Sequence, residues 1–122
     1  MTLEELSNLQ VSNIIANTSE LKSLVKQCLS VVETSTAKDD EIVMWISAAI
    51  EDLVRNQIDV ESNLSNGLIQ GAIVMYVKSN FGNGEQEEKD RCERTYKQTL
   101  TNLSLSQKFL LEEIEWYTHH VR

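Results

Sequence analysis

The sequence predicts an all-α protein, a small bundle of four to five helices around a central apolar helix at about 63–80. Three observations carry this. There is no proline in 122 residues and glycine occurs only four times; apolar residues recur at steps of three and four in most of the chain; and short polar stretches with capping residues separate those runs. The length fits one domain spanning 1–122, long enough to bury a core without disulfides or metal. Within it the periodic core runs from about 19 to 103, between an amino-terminal lead (1–18) and a carboxy-terminal arm (104–122).

The first helix, about 3–16, opens with Thr2 and Glu5 at capping-box spacing and carries an interrupted apolar stripe of Leu3, Leu6, Ile14 and Ile15. The second, about 19–33, follows "NTSE" and places Leu21, Leu24, Val25, Cys28, Leu29 and Val32 at helical steps. "ETSTAKDD" then reads as a loop ending in an Asp N-cap, where a carboxylate satisfies free amides and faces the positive end of the helix dipole.

The third helix, about 40–56, is the most regular. Ile42, Trp45, Ile46, Ala49, Ile50, Leu53 and Val54 share one face, with Glu41, Glu51, Asp52 and Arg55 mainly opposite. "NQIDVESN" connects it to the fourth helix, which Gly82 ends. The fifth, about 85–103, has acids early and Lys89, Arg91, Arg94 and Lys97 later, as the dipole prefers, with Cys92, Tyr96, Leu100 and Leu103 on one side. "SLSQKFLLEEIEWYTHHVR" fits either a further helix or an arm that orders on a partner.

The fourth helix has two apolar stripes side by side, Leu64, Leu68, Ala72 and Met75 beside Ile69, Ile73, Tyr76 and Val77. A helix apolar nearly all round must be covered on most sides. The simplest cover is a central position with the third and fifth helices against it. Mid-helix Gly71 costs about 1 kcal/mol relative to Ala, which points to a close neighbour, with Ala48 and Ala49 as its expected partners. Ile69, Ile73, Tyr76, Val77 and Phe81 are candidates for core or for a contact between subunits.

Net charge is minus 8, which argues against binding a phosphate backbone, since that needs a basic stripe. The acids are uneven: Asp39, Asp40, Glu41, Glu51, Asp52, Asp59 and Glu61 face Arg55 alone between Asp39 and Ser62, so this piece holds net minus 6. It is either a solvated face or a negative surface with a purpose.

The amino terminus lacks the basic and apolar regions of a secretory signal, and no continuous apolar run approaches the roughly 20 residues of a membrane span. Neither export nor membrane insertion is expected. Cys28 and Cys92 are far apart without CxxC spacing and read as reduced, semi-buried thiols of a cytosolic protein. "FGNGE" is not a phosphate loop. His119 and His120 are adjacent, so on a helix they point in different directions and form no metal pair. No cofactor, metal or catalytic residue is expected, and an enzyme is not.

From about Leu21 to Phe109 the chain resembles the phage head-tail connector family, the small helical adaptors attached to the portal of tailed phages. "DDEIVMWISAAIEDLVRN" is similar to the family's Asp-initiated helix with a central Ala pair, "LIQGAIVMYVKSNFG" to its apolar helix ending in Asn-Phe-Gly, and "YKQTLTNLSLSQKF" to its closing helix. The lead of roughly 20 residues and the aromatic tail after Phe109 depart from that pattern.

The resemblance implies a virion protein at the head-tail interface, assembled in the host cytoplasm. It would form a homo-oligomeric ring beneath the portal that extends the DNA channel during packaging, retention and ejection. Its partners would be itself, the portal protein and the next neck or tail-completion protein, with DNA passing through without sequence-specific binding. Some of the seven acids would face that channel, repelling the DNA backbone so that it slides. Phe109, Trp116 and Tyr117 would anchor the carboxy-terminal segment on the portal. The competing reading, from the residues alone, is an acidic helical regulator that binds one protein through an apolar groove.

Overall fold

In a computed structural model, residues 2–15, 19–29, 36–82, 84–106 and 109 are described. Five helices follow in order: α1 (Leu3–Ile15), α2 (Ser19–Cys28), α3 (Asp39–Arg55), α4 (Gly67–Asn80) and α5 (Gln86–Ser104), with one 3-10 turn at Glu61–Asn63 before α4. No strand joins them among the described residues, so the bundle is all-α.

α3 and α4 form the centre. α1 packs on α3, α5 on α4, and α2 lies against both α3 and α4. The expected cover of α4 by the third and fifth helices is therefore observed. One continuous core draws from all five helices: Leu6 and Ile14 from α1, Leu21 and Val25 from α2, Ile42, Ile46 and Leu53 from α3, Ile69, Ile73 and Val77 from α4, Tyr96 and Leu103 from α5. Burying side chains of this size contributes about 1.5–3 kcal/mol each, which explains why a chain with so polar a fifth helix still folds it down.

Helix ends follow local chemistry. The capping box at α1 is formed: the Glu5 amide donates to Thr2 Oγ1 at 3.0 Å and the Thr2 amide to Glu5 Oε2 at 3.5 Å. Asn66 caps α4, its Oδ1 accepting from the Leu68 amide at 2.8 Å. That cap starts α4 four residues later than the sequence suggested, with Glu61–Asn63 as a separate turn. Gly82, at φ +65°, closes the far end.

α3 ends in a motif that the sequence did not announce. Gln57 stands at φ 66°, its amide donating to Val54 O at 2.8 Å while the Ile58 amide donates to Leu53 O at 3.0 Å. This is a Schellman cap with Gln where Gly is usual, and buried Ile58 and Leu53 supply the apolar contact that accompanies it.

Two expectations are corrected. Neither Asp39 nor Asp40 is the N-cap of α3; Lys38 holds that position and makes no side-chain cap. Asp39 is the first helical residue, and its carboxylate turns to α2, 3.3 Å from Lys22 Nζ and 2.7 Å from Lys26 Nζ. Lys26 is only 2% exposed, so its charge needs an acid close by, and that pairing takes the carboxylate from the free amides. Nor does Gly71 mark a close approach: a Cβ there would meet nothing within 4 Å.

Candidate functional site

The acids of 39–61 are mostly held by the fold. Besides Asp39, Glu41 Oε2 accepts from the Gly82 amide at 3.1 Å and from Trp45 Nε1 at 3.4 Å. Asp52 Oδ2 accepts from the Tyr96 hydroxyl of α5. Asp59 Oδ1 accepts from the Ser62 amide at 3.2 Å and from Gln10 Nε2 at 3.5 Å, and Glu61 takes Asn13 Nδ2 at 3.3 Å. Glu51 has only a loose 3.9 Å pair with Arg55 one turn on. Asp40 is exposed at the start of α3.

At Asp39 and Glu41 these contacts lower the carboxyl. The Lys26 ammonium, then Lys22, holds the Asp39 carboxyl below its ordinary range, against the opposing effect of burial. The Gly82 amide does the same for Glu41, with Trp45 adding to it. Opposite Asp52, burial pushes the Tyr96 phenol above its ordinary value and the bond to the carboxylate pushes it further. Tyr76, edge-on to Tyr96 with ring centroids 5.1 Å apart, is raised by burial first and by Asp52 second. In each case a helix is fixed to a neighbouring element through a partner 13 to 44 residues away, which sequence spacing could not show.

The candidate interface residues divide. Ile69, Ile73 and Val77 are fully buried inside the subunit, whereas Tyr76 and Phe81 are half-buried. Of the other stripe of α4 only Leu68 is open, at 51% exposure and beside uncrowded Gly71; Leu64 and Met75 are half-buried against the core and Ala72 is fully buried. The signal for it was present in the Leu64, Leu68, Met75 spacing. α3 also presents Met44, 52% exposed.

Phe109 is 5% exposed and belongs to the core, its amide bonded to Ser106 O and its carbonyl accepting from the Asp59 amide at 2.7 Å. In this position it fastens the segment after α5 to the α3–α4 connection and is not offered to a partner, which differs from the expected docking anchor. Trp116 and Tyr117 lie outside the described residues.

A cleft of about 430 Å³ opens between the end of α2, the α4–α5 corner and the start of α5. Cys28 and Cys92 both border it as free thiols, the first exposed and the second buried, with Lys78, Glu85, Glu88 and Lys89 around them. Among the described residues no three His, Cys, Asp or Glu side chains come together as a metal site, and no helix is long and apolar enough to cross a membrane.

Polar contacts thus brace the helices, and among the described residues Leu68 of α4 and Met44 of α3 stand exposed, as in a helical protein that meets a partner. Residues 21–109 match the family model of phage connector proteins, and the chain belongs to that family. The three stretches from α3, α4 and α5 that carry the resemblance all fall inside the match, and α1 precedes it. The family is a structural one, and the protein is by membership a component of the phage neck and of the virion. No curated protein and no solved structure matches the chain.

Proposed function

We propose that the protein is the ring adaptor between portal and tail, a homo-oligomer that continues the DNA channel below the portal and offers a platform to the next neck or tail-completion protein. The observation that carries this reading is the outer face of α4. A connector-family chain keeps Leu68 half exposed on the helix that supplies Ile69, Ile73 and Val77 to the core, an arrangement that suits a protein whose subunits meet through different faces around an axis. The residues after Phe109, with Trp116 and Tyr117 as aromatic anchors, dock on the portal.

DNA passes without base recognition, and acidic charge at the lumen keeps the backbone from adhering. Since most acids of 39–61 hold helices together, the lumen charge is tested best at Glu61, which is exposed in the short 3-10 turn before α4 and whose contact with Asn13 of α1 is long, at 3.3 Å. Glu61→Lys leaves the assembly intact and impairs DNA passage or retention; unchanged phage yield removes Glu61 from the lumen.

The decisive experiment is the mass of the purified protein in solution, alone and after mixing with isolated portal rings. A discrete ring-sized species, or stoichiometric addition to the portal, is the expected result. A monomer that ignores portals at high concentration overturns the reading.

A further inference from the structure

α4 has a buried side, Ile69, Ile73 and Val77, and an opposite side on which Gly67 and Leu68 stand exposed among the described residues. On or beside that side lie exposed Gly67 at the first turn, half-buried Gly71 and Met75, and half-buried Lys78 at the rim of the cleft shared with α2 and α5. Gly71 forms a notch, since even a Cβ there would reach nothing within 4 Å. α3 carries on its own outer face exposed Met44, half-buried Ala48, and the acids Asp40 and Glu51. Lys78 has no ion pair among the described residues, and the pair of Glu51 with Arg55 is long and exposed.

We propose that α3 of one subunit packs parallel to α4 of the next, with Met44 seated in the Gly71 notch. This rests on the ring reading and names the surfaces that make the ring. Charge and spacing fix both direction and register. Four residues before Met44 is Asp40, and four before Gly71 is Gly67, so the carboxylate meets the amides and positive dipole end of α4. Four residues after, Ala48 lies beside Met75, a small residue against a large one. Seven residues after, Glu51 meets Lys78, each about 10.5 Å along its own helix at 1.5 Å per residue.

The antiparallel alternative forfeits this: with Met44 still on Gly71, Glu51 would face Leu64 and Lys78 would face Ala37. A glycine at the crossing allows closer backbone approach than any other residue, and Met adapts its shape to such a notch. The two faces are different surfaces of one subunit, so the contact is head-to-tail and repeats around a ring, never closing as a symmetric dimer.

The test is a cysteine pair in a chain without its own thiols. In a Cys28→Ser, Cys92→Ala background, Met44→Cys and Gly71→Cys are introduced together, assembly is measured by native mass alone and on portal rings, and the sample is then oxidised. The expected result is a ladder of covalent multimers on a non-reducing gel that extends up to the ring size and is absent from each single variant, since the bridge needs the Cα atoms within about 7 Å. Rings of normal mass without a ladder overturn the α3–α4 pairing and leave the ring reading standing. Loss of every ring-sized species while the natural chain still assembles is resolved by a second pair: Glu51→Lys abolishes assembly, and adding Lys78→Glu to the same chain restores it. A folded double-charge variant that stays unassembled overturns the register. If the natural chain forms no ring under any of these conditions, the ring reading itself fails and this contact with it.

Discussion

The Tyr96 hydroxyl donates a 2.5 Å hydrogen bond to Asp52 Oδ2, which joins α5 to α3 directly, beside the packing of each of them on α4. Hydrogen bonds to charged groups contribute about 1.5–3 kcal/mol, and Tyr96 is only 5% exposed. Tyr96→Phe keeps the ring contact with Tyr76 and removes only this bond. Urea unfolding of the variant is expected to show a loss of about 1.5–3 kcal/mol without a change in helical content.

The same bond sets an alkaline limit. A phenol raised above its ordinary value near 10 binds its proton more tightly in the folded chain than in the unfolded one. Its contribution is complete below pH 10 and is lost as pH rises toward the folded value. Absorbance of ionised tyrosine is expected to lag behind that of free tyrosine until the chain unfolds, and Tyr96→Phe removes part of the lag.

Asp39 acts in the opposite pH direction. Its carboxyl is lowered by Lys26 and Lys22, so the stabilisation is present above the unfolded value near 4 and fades as pH falls through the folded value. Thermal melts from pH 6 down to pH 2 are expected to show a steeper acid limb for the natural chain than for Asp39→Asn. The variant is also less stable at pH 7, because buried Lys26 is left without its nearest carboxylate.

Gly71→Ala is expected to stabilise the isolated subunit by up to about 1 kcal/mol, the helix-propensity difference, since the new methyl meets nothing. Urea midpoints measured at concentrations too low for assembly check this; a lower midpoint shows that the side chain is crowded after all.

At Gln57 the backbone occupies the left-handed region, which costs a non-glycine residue roughly 1–2 kcal/mol. Gln57→Gly removes that strain but gives the unfolded chain more freedom. The net expectation is a gain of under about 1 kcal/mol in the unfolding free energy.

Much of the fold was legible because short-range chemistry carries it. The Thr2 and Glu5 spacing, the steps of three and four in α2, α3 and α5, and the glycine after Asn80 all act within one or two helical turns. What failed depended on distance. Asp39 looked like a cap until Lys26, 13 residues earlier, drew its carboxylate away. Gly71 looked crowded because propensity registers the cost of a glycine but not which side of the helix is open. The acidic run was legible as charge, whereas its division into braces, such as Glu41 on Gly82 or Asp52 on Tyr96, depends on residues more than 40 positions away. Phe109 was read as an anchor for a partner, and its partner proved to be the subunit's own core.

Both backbone groups of Gly82 are claimed from outside α4: its amide by Glu41 of α3, and its carbonyl by Lys89 of α5, whose Nζ lies 2.6 Å away. Three helices are thus pinned at a single residue at one end of the bundle, and Tyr96 with Asp52 braces α3 to α5 further along. The three rods and their cross-ties form a truss, so a load placed on α5 reaches α3 without bending α4. For a component of the phage neck, such cross-ties hold the angles between the three helices fixed.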